Sequence, residues 1–194
     1  MAIIAVISMP AFAQQPNQGQ ASGKMAEATS KVESMTDIAK VSQVLARYVR
    51  GADRRDSEAI ARLFVENAVV ETRWYNSGNP HREMRIEGRE KIKLAVSKIP
   101  PPVALGNSHH ASMDHIVSIN GDRAALDAQF VLFRSVAIAR PETGWPAGTS
   151  GNQGTIKPDN AGYYRLKLVR VDGEWLITEM IIDHDLPFVP RGNH

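Results

Sequence analysis

The chain has 194 residues, 43% hydrophobic and 23% charged, which suits one globular domain and excludes a largely disordered polymer. Its 23 basic and 21 acidic residues leave a formal net charge of +2. No basic stripe with interleaved aromatics runs through it, so no nucleic-acid partner is expected. There is no cysteine, which excludes disulfides, a thiol nucleophile and thiolate metal sites.

Residues 2–13 form a mostly apolar run ending in Ala11-Phe12-Ala13, a pattern that fits a signal-peptide cleavage site. No Lys or Arg precedes Lys24, so the usual charged start of such a signal is missing. The run is too short to cross a bilayer, so no membrane anchor is expected. The expectation is a signal peptide over 1–13 and a periplasmic or secreted protein. A polar, Gly/Gln-rich flexible leader over 14–33 follows, then one domain over 34–187 and a short tail over 188–194.

Within that domain, Ser34 or Thr36 can cap a first helix carrying Ile38, Val41, Val44, Leu45, Tyr48 and Val49 on one face, ending near Asp53. Asp56 is a natural N-cap for a shorter second helix with Ile60, Leu63 and Phe64 on its face. Residues 68–75 and 84–87 are β-prone, with a loop over 76–80. Residues 89–99 form a third helix, stopped by Pro100-Pro101-Pro102. Four β-prone runs follow, over 108–119, 123–137, 162–171 and 174–185. Asn120-Gly121 and Asp172-Gly173 mark hairpins within the first and second pair. Residues 140–160 between the hairpins read as a long loop. Helices collected ahead of strands predict an α+β fold, in which a long twisted antiparallel sheet curls around the helices and leaves a cavity at one end.

Asp53 is the most informative residue. It continues the apolar stripe of Leu45 and Val49 and falls at a helix C-terminus, where the macrodipole disfavours an anion by about 0.3–1 kcal/mol. Such a carboxylate is either an acid or base for catalysis, or pairs with Arg54 or Arg55, or caps the next helix. Tyr48 shares its stripe and is either a hydrogen-bond donor to developing negative charge or a core tyrosine. His109 and His110 open a strand, so one ring points inward and one outward; an imidazole facing a carboxylate makes a workable acid/base pair. His115 is a weaker candidate. No metal-ligand spacing is present. Most strand aromatics belong to the core, with Trp74 and Tyr163 chosen as pocket-lining.

Tyr48, Asp53, Asp56, Leu63-Phe64, Gly88, His109-His110, the run Asn120 to Ala124, Gly162-Tyr163-Tyr164 and the run Val171 to Trp175 occur together in an order that resembles a SnoaL-like domain. This group belongs to the nuclear-transport-factor-2-like superfamily and includes scytalone dehydratase, bile-acid dehydratase and, more distantly, ketosteroid isomerase. The resemblance covers about residues 34–187. It implies a cone-shaped α+β fold, a curved antiparallel sheet wrapped around three helices with an apolar pocket, no cofactor or metal, and a homodimer or homotrimer. It also implies that Tyr48, Asp53 and His110 are catalytic and that Arg165, if it faces inward, contacts substrate; His109, Trp74 and Tyr163 are the further expected substrate contacts. The set is partial. Scytalone dehydratase has a further pocket histidine, and the bile-acid enzyme a further aspartate, where this chain has Phe133 or Arg134.

Two functions remain open from sequence. One is a cofactor-free dehydratase or isomerase acting on a small apolar cyclic ligand. The other is an exported protein that binds such a ligand without turnover. An oligomerisation module using its exposed sheet face is a third possibility. Convergence of Asp53 and His110 on one point favours the first.

Overall fold

The computed structural model describes residues 18–76, 79–99 and 105–187. The expected signal peptide (1–13) and tail (188–194) lie outside the described residues. Helix α1 spans Gln18–Arg54, so helix replaces leader over much of the 14–33 segment. Ala21, Lys24, Met25, Ala26, Glu27, Ala28 and Lys31 are good helix formers. Met25, Val32 and Met35 stay exposed, so no buried stripe marked this stretch as helical. The described residues up to Thr36 belong to a unit of their own. Within it the Thr29 hydroxyl donates to the Met25 carbonyl at 2.9 Å, a helix-compatible bond.

The second unit begins at Asp37. Here Val41, Leu45 and Val49 are buried at intervals of four, placing one face of α1 against the sheet. Helix α2, Ser57–Ala61, is capped by Asp56, which accepts from the Ala59 N–H at 2.9 Å. A Cβ at Gly51 would lie 2.7 Å from Ile60 Cγ1, so only glycine lets these two helices meet this closely. Strands β1 (Phe64–Asn76) and β2 (Asn79–Glu87) lead through Gly88 (φ 96°) into α3, Arg89–Ser97. Arg89 Nε donates to the Phe64 carbonyl at 2.7 Å, fastening α3 to the start of β1.

Strands β3 (Gly106–Asn120), β4 (Arg123–Ala137), β5 (Gly154–Val171) and β6 (Glu174–His184) complete a six-stranded sheet ordered β2-β1-β6-β5-β4-β3. Both expected hairpins form, β3 with β4 and β5 with β6. The sheet is mixed, because β1 runs parallel to β6 while the other pairings are antiparallel. Strand β5 starts eight residues earlier than its apolar pattern suggests. Residues 154–159 are all exposed, so they carry no alternation to read, yet they pair with β4 as far as Ala137.

The core lies between the helices and one sheet face. It contains Val41, Leu45, Ile60, Phe64, Leu126, Phe130, Tyr164, Leu166, Ile177 and Met180. This is the α+β cone expected, three helices on a curved open sheet.

Candidate active site

Asp53 follows Val49 by one helical turn, so the stripe that buries α1 carries its carboxylate to the sheet, where β3 begins. His110 meets it there. Its ring Nδ1 is 2.7 Å from Asp53 Oδ1, and its backbone N–H donates to both carboxylate oxygens at 3.1 and 3.2 Å. An ionised carboxylate only accepts, so Nδ1 carries a hydrogen, and in the neutral form of the ring the lone pair is on Nε2. Nε2 has no partner among the described residues and is not sealed from solvent. Asp53 therefore holds His110 as a base would be held. The cap of α2 is Asp56 and not Asp53.

His109, next along β3, is exposed, with Nδ1 4.0 Å from Asp53 Oδ2. It stands at the rim. His115 lies within the β-bulge of β3, between Met113 and Ile116, and is exposed beside the Ser112 hydroxyl at 3.3 Å. Asp53, Arg50, Arg54, His109, His110 and Ser108 are among the residues around an open groove of about 670 Å³. Its lining mixes charged and polar groups with Ala46 and Val49, so the mouth of the site is more polar than the apolar pocket expected.

The apolar surroundings are aromatic. Tyr48 packs edge-on against Phe64 (6.2 Å between centroids) and Tyr164 (6.0 Å). Tyr164 stacks on Phe130 at 4.5 Å, and Phe130 in turn meets the His110 ring at 6.0 Å. Burial pushes the Tyr48 phenol up to about 12. Burial, reinforced by Tyr48 and Asp53, holds the Tyr164 phenol well above its usual range. Both are neutral donors at neutral pH. Neither hydroxyl has a hydrogen-bond partner among the described residues.

Two expected substrate contacts are misplaced. Tyr163 and Arg165 lie on the opposite sheet face from Asp53. The Tyr163 hydroxyl accepts from Gln129 at 3.3 Å and its ring lies under Arg165. Arg165 pairs with Asp127 at 3.2 Å and with buried Asp183. Burial raises the Asp183 carboxyl and Arg165 opposes that rise. Strand alternation sends neighbours to opposite faces, so Tyr164 occupies the inward place given to Tyr163. Leu166 and Leu168, both buried, carried that signal in the sequence. Trp74 is half-buried on β1, in register with His184 of β6.

His184 was not anticipated. Its ring meets Phe130 edge-on at 5.5 Å, and its Nδ1 is 3.2 Å from Asn160 Nδ2. Burial lowers its pKa below the usual 6.5, with a further lowering from nearby His110 and a small opposing effect of Asp185. Among the described residues no cluster of three metal-ligating side chains occurs.

This geometry sits in a known setting. A family model described as a SnoaL-like domain matches residues 33–181. The chain belongs to the SnoaL-like domain family. Solved structures repeat the fold of this SnoaL-like chain at low identity. A protein of unknown function from Mycobacterium tuberculosis shares 21% identity over 79% of this chain and 74% of its own, with a TM-score of 0.56. Two proteins from Novosphingobium aromaticivorans are also similar. One is a provisionally assigned β subunit of an aromatic-ring-hydroxylating dioxygenase (15% identity, 81% of this chain, 94% of its own, TM-score 0.60). The other is a provisionally assigned scytalone dehydratase (17%, 82% and 93%, TM-score 0.56). No curated protein matches in sequence. At these identities the likeness establishes fold and not activity.

Proposed function

We propose that this SnoaL-like chain is a cofactor-free dehydratase or isomerase that works by acid/base chemistry on a small cyclic, largely apolar substrate carrying a carbonyl. The observation that carries this reading is the 2.7 Å contact between Asp53 and His110 Nδ1, which leaves Nε2 as a base. His110 Nε2 takes a proton from the carbon next to the carbonyl, and the electron pair moves onto the carbonyl oxygen. Tyr48 and Tyr164, as neutral phenols, donate hydrogen bonds to that enolate oxygen. In dehydration the enolate collapses and expels a β-hydroxyl, which takes the proton back from the imidazolium and leaves as water. In isomerisation the imidazolium returns the proton to another carbon of the ring system. Asp53 stabilises the imidazolium throughout.

The test is a panel of cyclic hydroxy-ketones and unsaturated cyclic ketones, assayed for water loss and double-bond migration with the wild type and Asp53→Asn. At least one member should be converted, and the variant should lose 10²–10⁴-fold of that rate, about the contribution of a positioned acid or base. If panel members bind equally well to both proteins and neither converts any, the chain is a ligand-binding protein instead.

Export is part of the proposal. It is supported by the apolar run ending in Ala11-Phe12-Ala13. Among the described residues no helix is long and apolar enough to cross a membrane. N-terminal sequencing of protein from a periplasmic fraction should start near Gln14; an intact Met1 in cytoplasmic material would contradict export. A homodimer or homotrimer is the expected assembly, testable by light scattering.

A further inference from the structure

We infer that His184 is a further catalytic residue of this site, a neutral imidazole whose Nε2–H donates a hydrogen bond to the substrate's carbonyl oxygen as that oxygen becomes an enolate. The inference rests on the acid/base reading above and adds a donor to the carbonyl oxygen beside Tyr48 and Tyr164.

Asn160 fixes the tautomer. Its Oδ1 already accepts from the Ala161 N–H at 2.8 Å and the Leu186 N–H at 3.4 Å. The amide's other end must then be its NH₂, which only donates, and it meets His184 Nδ1 at 3.2 Å. Nδ1 is therefore an acceptor, and the hydrogen of the neutral ring sits on Nε2. That N–H has no partner among the described residues, although the ring is mostly buried, and it is not closed off from solvent. A half-buried donor held in one tautomer with nothing to donate to is suited to a ligand oxygen.

Its position agrees. The His184 and His110 rings both contact Phe130, so the base and the donor flank one aromatic ring. Gly162 faces His184 across β5 and β6 and adds no side chain beside it. Because burial and His110 both disfavour a charge on His184, the ring stays a neutral donor while His110 gains and loses its proton. The two histidines thus hold complementary hydrogens. His110 offers a lone pair at Nε2, and His184 offers an N–H at its own.

The test combines ¹⁵N NMR of the imidazoles in the full chain with two variants. The His184 signals, assigned by their loss in His184→Gln, should show a bare Nδ1 and a protonated Nε2 at neutral pH. His184→Phe keeps the ring's bulk and removes the donor. It should lower kcat by about 10²–10³, the usual loss for one such donor, with KM changing less. His184→Gln can place an N–H near Nε2 and should recover part of the rate. Binding of a substituted phenol, a planar mimic of a cyclic enolate, should weaken at least tenfold in His184→Phe and less in His184→Gln. A protonated Nδ1, or a His184→Phe protein with unchanged kcat and phenol affinity, overturns the inference. If phenol binding depends on His184 while Asp53→Asn keeps full turnover, the donor role stands and the acid/base reading fails. If Asp53→Asn is inactive and His184→Phe matches the wild type, only the donor role fails.

Discussion

At the scale of single residues, two side chains should leave opposite marks on the pH dependence of stability. Asp37 accepts hydrogen bonds from Arg170 Nη2 at 2.7 Å and from Trp175 Nε1 at 3.3 Å. Arg170, chiefly, holds its carboxyl below the usual 3.8. A depressed carboxyl means that the unfolded chain takes up its proton first as pH falls. The stabilisation is therefore complete above about pH 4 and is lost as pH drops through the folded value. Asp37→Asn should melt below the wild type at pH 7, and the gap should narrow as the pH falls below about 4; a gap that stays constant over that fall would contradict the contact. His184 is depressed by burial instead. Below its usual 6.5 the unfolded chain binds a proton that the fold resists, so the wild type should lose stability between pH 7.5 and 5.5. His184→Gln should lose less over the same interval. A parallel decline in both proteins would show that His184 is not held neutral.

At the scale of elements, the sequence was informative where alternation is regular and silent where a bulge shifts it. The four long strands, their two hairpins and the capping of α2 by Asp56 follow from local chemistry. Asp53 was legible because helical spacing from Leu45 and Val49 is rigid. His184 was not. Counting by two from Trp175 and Ile177 makes Asp183 an inward residue and His184 an outward one. The extra residue Thr178 sits between Ile177, opposite Leu168, and Glu179, opposite Lys167. This bulge reverses the parity and turns His184 toward the core. Asp183 goes to the outer face, where Arg165 covers it. The same β5–β6 pairing depends on Gly162, where a Cβ would fall 1.9 Å from the Asp183 carbonyl oxygen. Gly162→Ala must push the strands apart beside Tyr164 and His184. It should cost about 3 kcal/mol, the upper part of the range for overpacking, measured by urea unfolding. A loss below about 1 kcal/mol would contradict so close an approach of the two strands. Phe130→Ala should cost a similar 3–5 kcal/mol, because Phe130 is 1% exposed and supports both histidines.

At the scale of the molecule, one end of the SnoaL-like fold holds the side chains on which the proposed chemistry rests. Helix α1 delivers Tyr48 and Asp53, β3 delivers His110, β5 delivers Asn160 and Tyr164, and β6 delivers His184. Four elements distant in sequence meet around Phe130 of β4, which is why no short motif announces the site. Provisional names among the structural neighbours include both a dehydratase and a dioxygenase subunit, so the fold leaves the activity open and the side chains must decide it. The central claim is that His110, held by Asp53, removes a proton next to a carbonyl. Hydrogen exchange at that carbon of a cyclic ketone in D₂O, followed by NMR, measures this step without needing a leaving group. The wild type should catalyse the exchange, and His110→Gln and Asp53→Asn should each slow it by 10²–10⁴-fold while remaining folded. Exchange at the wild-type rate in both folded variants would contradict the account.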